Sequence, residues 1–382
     1  MLRKRILKTD CLYTSVGAPI QNGMVVVNTE GRIEKVGIQL ASEGVEVEYF
    51  PGALCAGFVN THCHLELSHL KGKLRQKTGI NGFIQELQQI RIAPEEEKLE
   101  AIQQADALMQ EQGIVAVGDI SNGNSTLTTK KNSAIYYHTF VELFGFATAK
   151  AQEIFDRGEV LKQELEAEEL STSIAPHSPY TVSEKLFKLI RNTRYNSPLS
   201  IHNQESEAEN EMFLQGSGKM VEMMEQFGND MSHFQKTAQT SLLSYLKYLP
   251  SGTPLLLVHN TFTSAEDIVK ATEQHEELYW CFCPKANLYI ENRLPNFSQF
   301  LDAGVKCTLG TDSLASNNSL SIWEEIQTIQ KTFPDIETHE LIKWATLNGA
   351  EFLGIDKNYG SIEVGKLAKI NWIKEDTISP IF

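Results

Sequence analysis

With 382 residues, 41% of them hydrophobic, the chain is long enough for a sizeable core and for one large domain plus a smaller one. Its formal net charge of −15 opposes a phosphate backbone, which excludes nucleic acid as an expected partner. No apolar run approaches the ~20 residues of a membrane helix, and the basic start Met1–Lys8 lacks the apolar core and cleavage site of a signal peptide. The expectation is a cytoplasmic protein with a small-molecule substrate and neither membrane nor nucleic-acid partner.

In chain order, the residues up to Pro51-Gly52 read as β structure, with Met24–Asn28 and Arg32–Val36 flanking a hairpin turn at Glu30-Gly31. Beyond Gly52 strand-like and helix-like segments alternate, the rhythm of a parallel sheet with helical crossovers. Eight strands are predicted: Gly57–His64, Gly113–Ile120, Ile135–Gly145, Ser173–Pro179, Leu199–Asn203, Leu255–Asn260, Leu278–Pro284 and Val305–Asp312. A helix is predicted over Pro94–Gln112, where Leu99, Ile102, Ala105 and Met109 share a face and Gly113 supplies a stop. The acidic runs Glu95–Glu97 and Glu164–Glu169 read as solvated helix faces.

Eight alternating strands fit a (β/α)₈ barrel. An open doubly wound sheet would carry a Gly-rich phosphate loop after an early strand, and none is present. Near the end, Gly360–Trp372 reads as a turn-punctuated strand pair expected to join the N-terminal β segment. The fold expectation is therefore α/β, a distorted barrel over residues 54–355, with a small β domain built from 1–53 and 356–382. Six cysteines lie in apolar segments without a Cys-x-x-Cys pair, which excludes thiolate zinc fingers and thioredoxin chemistry. Cys281 and Cys283 read as buried core.

The chemistry sits at the predicted strand ends. His62 and His64 share one strand face because side chains alternate. His177 ends the fourth strand, His202 the fifth with Glu205 just after it, His259 the sixth and Asp312 the eighth. In a barrel these ends form one catalytic face. Any one of these histidines could be an ordinary hydrogen-bonded core residue, but the whole set is not explained that way. Three histidines and a carboxylate suit Zn²⁺, with Fe²⁺ second. Such an ion acidifies a bound water. Glu205 suits a proton donor, and His259 and Asp312 suit a base and its orientation.

These residues carry a resemblance. Gly57-Phe-Val-Asn-Thr-His-Cys-His64, His202-Asn-Gln-Glu205, Val258-His259, Cys283-Pro-Lys-Ala-Asn-Leu288, Gly310-Thr-Asp312-Ser-Leu-Ala-Ser-Asn-Asn318 and Gly360-Ser-Ile-Glu-Val-Gly-Lys366 together resemble the amidohydrolase superfamily, over essentially the whole chain. The resemblance implies a distorted (β/α)₈ barrel with a β-sandwich from both termini, and the mononuclear deaminase-type branch, because His177 stands where binuclear branches place a carboxylated lysine. It makes His62, His64, His202 and Asp312 the ligands of one divalent metal ion. Glu205 becomes the group that protonates a ring nitrogen, His259 the group that orients water, and His177 a contact to the substrate heterocycle. A homodimer is its oligomeric expectation.

The implied reaction replaces an exocyclic amino group with oxygen and releases ammonia. The stretch Leu65–Gly72 looks like the aminofutalosine deaminase branch, which serves menaquinone synthesis; the neighbouring branch acts on S-adenosylhomocysteine and methylthioadenosine. Glu66 and Ser68 are its substrate-side candidates, with a partner of a ligand histidine as the other reading of Glu66. For Asp119 and Glu142 a structural hydrogen bond is the expected role. Lys369 stands where the superfamily usually has aspartate, a departure that bears on packing. The rival readings are chloride release from a triazine-like ring and a non-catalytic scaffold; the complete residue set argues against the scaffold. Nucleobase deaminases pair His-x-Glu with Pro-Cys-x-x-Cys. His64-Leu-Glu66 supplies the first half, and the second is missing.

Overall fold

The computed structural model describes residues 3–42, 44–193 and 197–381. Its central part holds two four-stranded parallel sheets. One runs in the order Phe58–Cys63, Ile114–Ser121, Tyr136–Leu143, Ser171–Pro176; the other in the order Leu199–Asn203, Leu255–His259, Leu278–Phe282, Lys306–Leu309. These strands are buried almost throughout, as expected for parallel strands covered on both faces by crossover helices. The two sheets touch at both margins. His62 O accepts from Thr311 N at 3.0 Å and Asp312 N at 3.1 Å, and His202 N donates to His177 O at 2.9 Å.

All eight predicted strands are present, but several end earlier than the sequence reading placed them. His64, His177 and Asp312 stand just past their strands, and Pro284 begins a helix, Pro284–Ile290, instead of closing a strand. Proline suits that first helical turn, where its missing N–H would have no intrahelical partner. The helix expected over Pro94–Gln112 spans Glu95–Glu111. Ile102, Ala105 and Met109 are buried, whereas Leu99 is exposed.

Both termini share one seven-stranded mixed sheet, in the order Thr377–Pro380, Ile370–Lys374, Val47–Ala56, Arg5–Tyr13, Met24–Val27, Ile33–Gly37, with Ile20–Gln21 beside Arg5–Tyr13. The expected hairpin pairs Val25 with Val36. The C-terminal hairpin lies later than predicted: Ile370–Lys374 turns through Glu375, at φ +53°, into Thr377–Pro380. The glycine-punctuated stretch before it forms turns, with one isolated bridge between Arg32 and Leu367. Asn371 ties this sheet to the parallel ones by donating from Nδ2 to Gly113 O at 2.9 Å. A Cβ at Gly113 would lie 2.2 Å from Asn371 Oδ1, so the contact requires glycine.

Beside the end of the His62 strand lies a fully buried ion pair, Lys130 Nζ to Asp119 Oδ2 at 2.6 Å. Lys130 also donates to Ser121 and Thr139, and Asp119 Oδ1 accepts from Leu65 N at 2.7 Å, just after His64. Asp119 therefore has the structural role expected of it. Lys130→Met would leave that carboxylate buried and unpaired. It is expected to lower unfolding stability by about 3–5 kcal/mol, measured by urea denaturation. A loss under about 1 kcal/mol would show that the pair is not holding the turn.

Candidate metal centre and active site

The site is built where the strands stop. Gln204, His259 and Asp312 all have left-handed backbone, at φ +44°, +79° and +57°. This conformation is uncommon for side-chain-bearing residues and gathers at functional sites. It breaks the alternation of the strand at each of these ends. Gly310 lets the last strand approach the first: a Cβ there would lie 2.8 Å from His62 Cβ and 2.9 Å from His62 O.

His62, His64, His202 and Asp312 converge. His64 Nε2 lies 3.3 Å from His202 Nε2, and Asp312 Oδ1 lies 3.5 Å from His64 Nε2 and 3.7 Å from His62 Nε2. Their supports fix which nitrogen faces inward. His202 Nδ1 donates to His177 O at 2.8 Å, which leaves Nε2 as a lone-pair donor. Ser316 Oγ donates to Asp312 Oδ2 at 2.6 Å and leaves Oδ1 for the cluster. Burial drives the His64 imidazole down to about 3 and His202 well below its ordinary value, so both are neutral and ready to ligate. Burial works against the Asp312 carboxylate, yet its contact with the His62 imidazole holds it below the usual range.

The donor set passes a test for a cation. His62 is fully buried, and neither ring nitrogen has a hydrogen-bond partner. An orphaned buried polar atom costs about 1–3 kcal/mol, a cost that a bound ion removes. Atoms of His62, His64 and Asp312 lie within 4.8 Å of one another, as do atoms of His62, His202 and His259. Three imidazoles and one carboxylate fit a divalent ion such as Zn²⁺.

Beside this cluster stands Glu205, buried, with Oε1 3.7 Å from His259 Nε2. Burial, followed by the Asp312 charge, pushes its carboxyl well above the ordinary range, which favours its protonated form. His259 Nδ1 donates to Asn287 Oδ1 at 2.9 Å, so Nε2 faces Glu205 as an acceptor. Glu209 pins the strained corner: its carboxylate accepts from Gln204 N at 2.9 Å and Glu205 N at 3.2 Å, and Ser241 Oγ donates to it.

His177 sits next to His202, with ring centroids 4.9 Å apart, and lines a cavity of about 480 Å³ that His64 and Glu142 also line. The volume is that of a small-molecule site. Glu142, expected to be structural, accepts from Asn122 Nδ2 at 2.9 Å through Oε2, while its buried Oε1 has no hydrogen-bond partner. Glu66 and Ser68 have partners of their own. Glu66 Oε2 accepts from Asn122 N at 3.0 Å, and Ser68 Oγ donates to Leu65 O at 2.7 Å within its short helix. Neither lines this cavity. Asn287, Ser316 and Glu209 carry supporting contacts that the sequence reading did not assign.

A sequence profile of the amidohydrolase family matches residues 53–382. Among curated relatives, an adenosine deaminase of Helicobacter pylori is 27% identical over 337 residues, covering 86% of this chain and 80% of the relative. An aminodeoxyfutalosine deaminase of Nitratiruptor sp. is 29% identical over 335 residues, covering 84% and 78%. Among solved structures, the aminofutalosine deaminase of Helicobacter pylori in complex with methylthio-coformycin aligns with TM-score 0.80 at 23% identity, over 96% of this chain and 91% of that one. On its sequence and its site, this chain belongs to the amidohydrolase family.

Proposed function

We propose that the protein is a metal-dependent aminohydrolase that replaces the exocyclic amino group of an adenine-type nucleoside with oxygen and releases ammonia. The observation that carries this reading is the buried carboxyl of Glu205, 3.7 Å from His259 Nε2 and beside the histidine and aspartate cluster, where burial raises it well above the ordinary carboxyl range. The names of the relatives, adenosine and aminodeoxyfutalosine deaminases, support the substrate class and make aminodeoxyfutalosine the first compound to try. The same reading takes the two parallel sheets as a distorted (β/α)₈ barrel over 54–355, with the terminal sheet of 1–53 and 356–382 as its small sandwich domain.

His62, His64, His202 and Asp312 would hold one divalent ion, Zn²⁺ first. When bound, that ion supplies Lewis acidity that makes water nucleophilic near pH 7. Glu205 delivers its proton to the ring nitrogen next to the amino-bearing carbon, which makes that carbon electrophilic. His259, its tautomer fixed by Asn287, presents Nε2 to orient the attacking water. Asp312 offers a carboxylate to take up a water proton. Asp312 passes that proton to the amino group, which leaves as ammonia as the carbon–nitrogen bond breaks, and the proton left on the new oxygen returns to Glu205 as the carbonyl forms. His177 faces the heterocycle from the cavity wall.

The test is an ammonia-release screen of metal-loaded protein with aminodeoxyfutalosine, S-adenosylhomocysteine, methylthioadenosine, adenosine and guanine. Turnover of an adenine compound is the expected result. Silence on all of them, with metal bound, rejects the substrate class.

A further inference from the structure

The helix Ile322–Thr332 buries one face, on which Ile322, Ile326 and Ile329 recur at helical spacing. Glu325 sits within that apolar stripe and is fully buried. Burying a carboxyl costs free energy unless strong donors meet it. A leucine would fill the same place without that cost, so the packing of the helix alone does not call for an acid. Both carboxyl oxygens of Glu325 are answered, and each donor belongs to a different support of the reacting groups.

Oε2 accepts from Lys285 N at 2.8 Å. Lys285 is the second residue of the helix Pro284–Ile290, to which the preceding Cys283 gives no side-chain cap. Pro284 has no N–H, so Lys285 N is the first donor at that helix end without an intrahelical partner. Glu325 caps it from another helix. The Lys285 ammonium itself donates to Glu324 and Ser319. Asn287, two residues on, accepts from His259 Nδ1 and donates from Nδ2 to His259 O at 3.4 Å. Oε1 of Glu325 accepts from Asn317 Nδ2 at 2.8 Å, and the same amide donates to Thr311 O at 2.9 Å. That second bond closes the turn after the last strand, which carries Asp312 and its partner Ser316. One carboxyl therefore joins the support of His259 to the support of Asp312.

We propose that Glu325 is a positioning residue for the groups that handle the water: it keeps His259 and Asp312 in register by clamping the helix behind one to the turn behind the other. This rests on the deaminase reading above, in which His259 orients the water and Asp312 takes its proton. Reacting groups misplaced by about 1 Å lose on the order of 10²-fold in rate. A helix start without its cap and a turn without its closing amide permit such a shift. Glu325 is not among the residues that line the cavity of about 480 Å³, so its loss acts on kcat and leaves substrate binding in place.

The experiment compares Zn²⁺-loaded wild type, E325Q, E325L, N287A and the E325Q/N287A double variant. E325Q keeps the shape and one acceptor, whereas E325L keeps only the bulk. On the adenine compound that wild type turns over, kcat is expected to fall roughly tenfold in E325Q and about a hundredfold in E325L, with KM within about twofold of wild type. N287A is expected to cost less in the E325Q background than alone, because both act through His259. A second readout needs no turnover. In histidine-selective ¹⁵N NMR of the Zn²⁺-loaded protein, the His259 Nδ1 resonance, identified by its loss in H259Q, is expected to move in E325Q toward its place in N287A. Near-normal kcat in E325Q, losses fully additive with N287A, or an unmoved His259 resonance each overturn the proposal. If E325L fails to fold, E325Q decides alone. If wild type releases no ammonia from any adenine compound, the deaminase reading falls. The resonance then decides by itself: a shift in E325Q supports the positioning role, and a fixed signal overturns it.

Discussion

Glu205→Gln is expected to keep its metal and lose nearly all turnover. The substitution preserves size and buried polarity, so the fold and the ligands His62, His64, His202 and Asp312 are retained. What it removes is the acid, whose protonated form burial and then the Asp312 charge favour. Loss of a positioned acid costs on the order of 10²–10⁴ in rate. The measurement is kcat on whichever nucleoside the wild type turns over, with metal content determined on the same sample. A variant with full metal and near-normal kcat would remove Glu205 from the chemistry. A variant that had lost its metal would instead place it among the supports of the ligand cluster.

Removing divalent metal is expected to abolish ammonia release and to lower the melting temperature, and Zn²⁺ should restore both. The orphaned nitrogens of His62 and the 3.3 Å approach of His64 to His202 are the structural reason. An ion that binds only the folded state adds about 4 kcal/mol of stability at a thousandfold excess over its Kd. Calorimetry with and without chelator reads this directly. His62→Ala should show no zinc-dependent shift. If chelation changed neither melting nor turnover, the cluster would be a neutral histidine core and not a metal centre.

The strand-end residues were legible because parallel strands bury continuous apolar runs and place their chemistry where those runs stop. His62, His64, His202, His259 and Asp312 stood out for that reason, and the structure gathers them with Glu205 into one cluster. The exact ends were not legible. Backbone at Gln204, His259 and Asp312 leaves the strand conformation through left-handed φ, which apolar patterning does not report. The supporting contacts were hidden by distance along the chain. Asn287 serves His259 from a helix whose first residue, Pro284, was read as the end of a strand, and Glu209 serves Glu205 from the helix after its strand. Glu66 and Ser68 rest on the resemblance of Leu65–Gly72 to one deaminase branch; in the structure Ser68 bonds within the short helix Leu65–Leu70, and Glu66 accepts from Asn122 N. The apolar cavity wall at Met223, Met224 and Phe227 looks in sequence like any core-facing helix, since a face that packs and a face that lines a cavity have the same period.

The junction between the His62 strand and Asp312 carries a consequence for assembly. His62 O receives the N–H groups of Thr311 and Asp312, so the ligand cluster forms only when an early and a late part of the chain have met. Contacts so distant in sequence are slow to form, because the chain entropy is lost before the contact repays it. A partly assembled chain can present His62 and His64 without Asp312 and would hold an ion poorly. Tight metal uptake thus reports completed topology, and a refolding chain should gain helical signal well before it gains its metal.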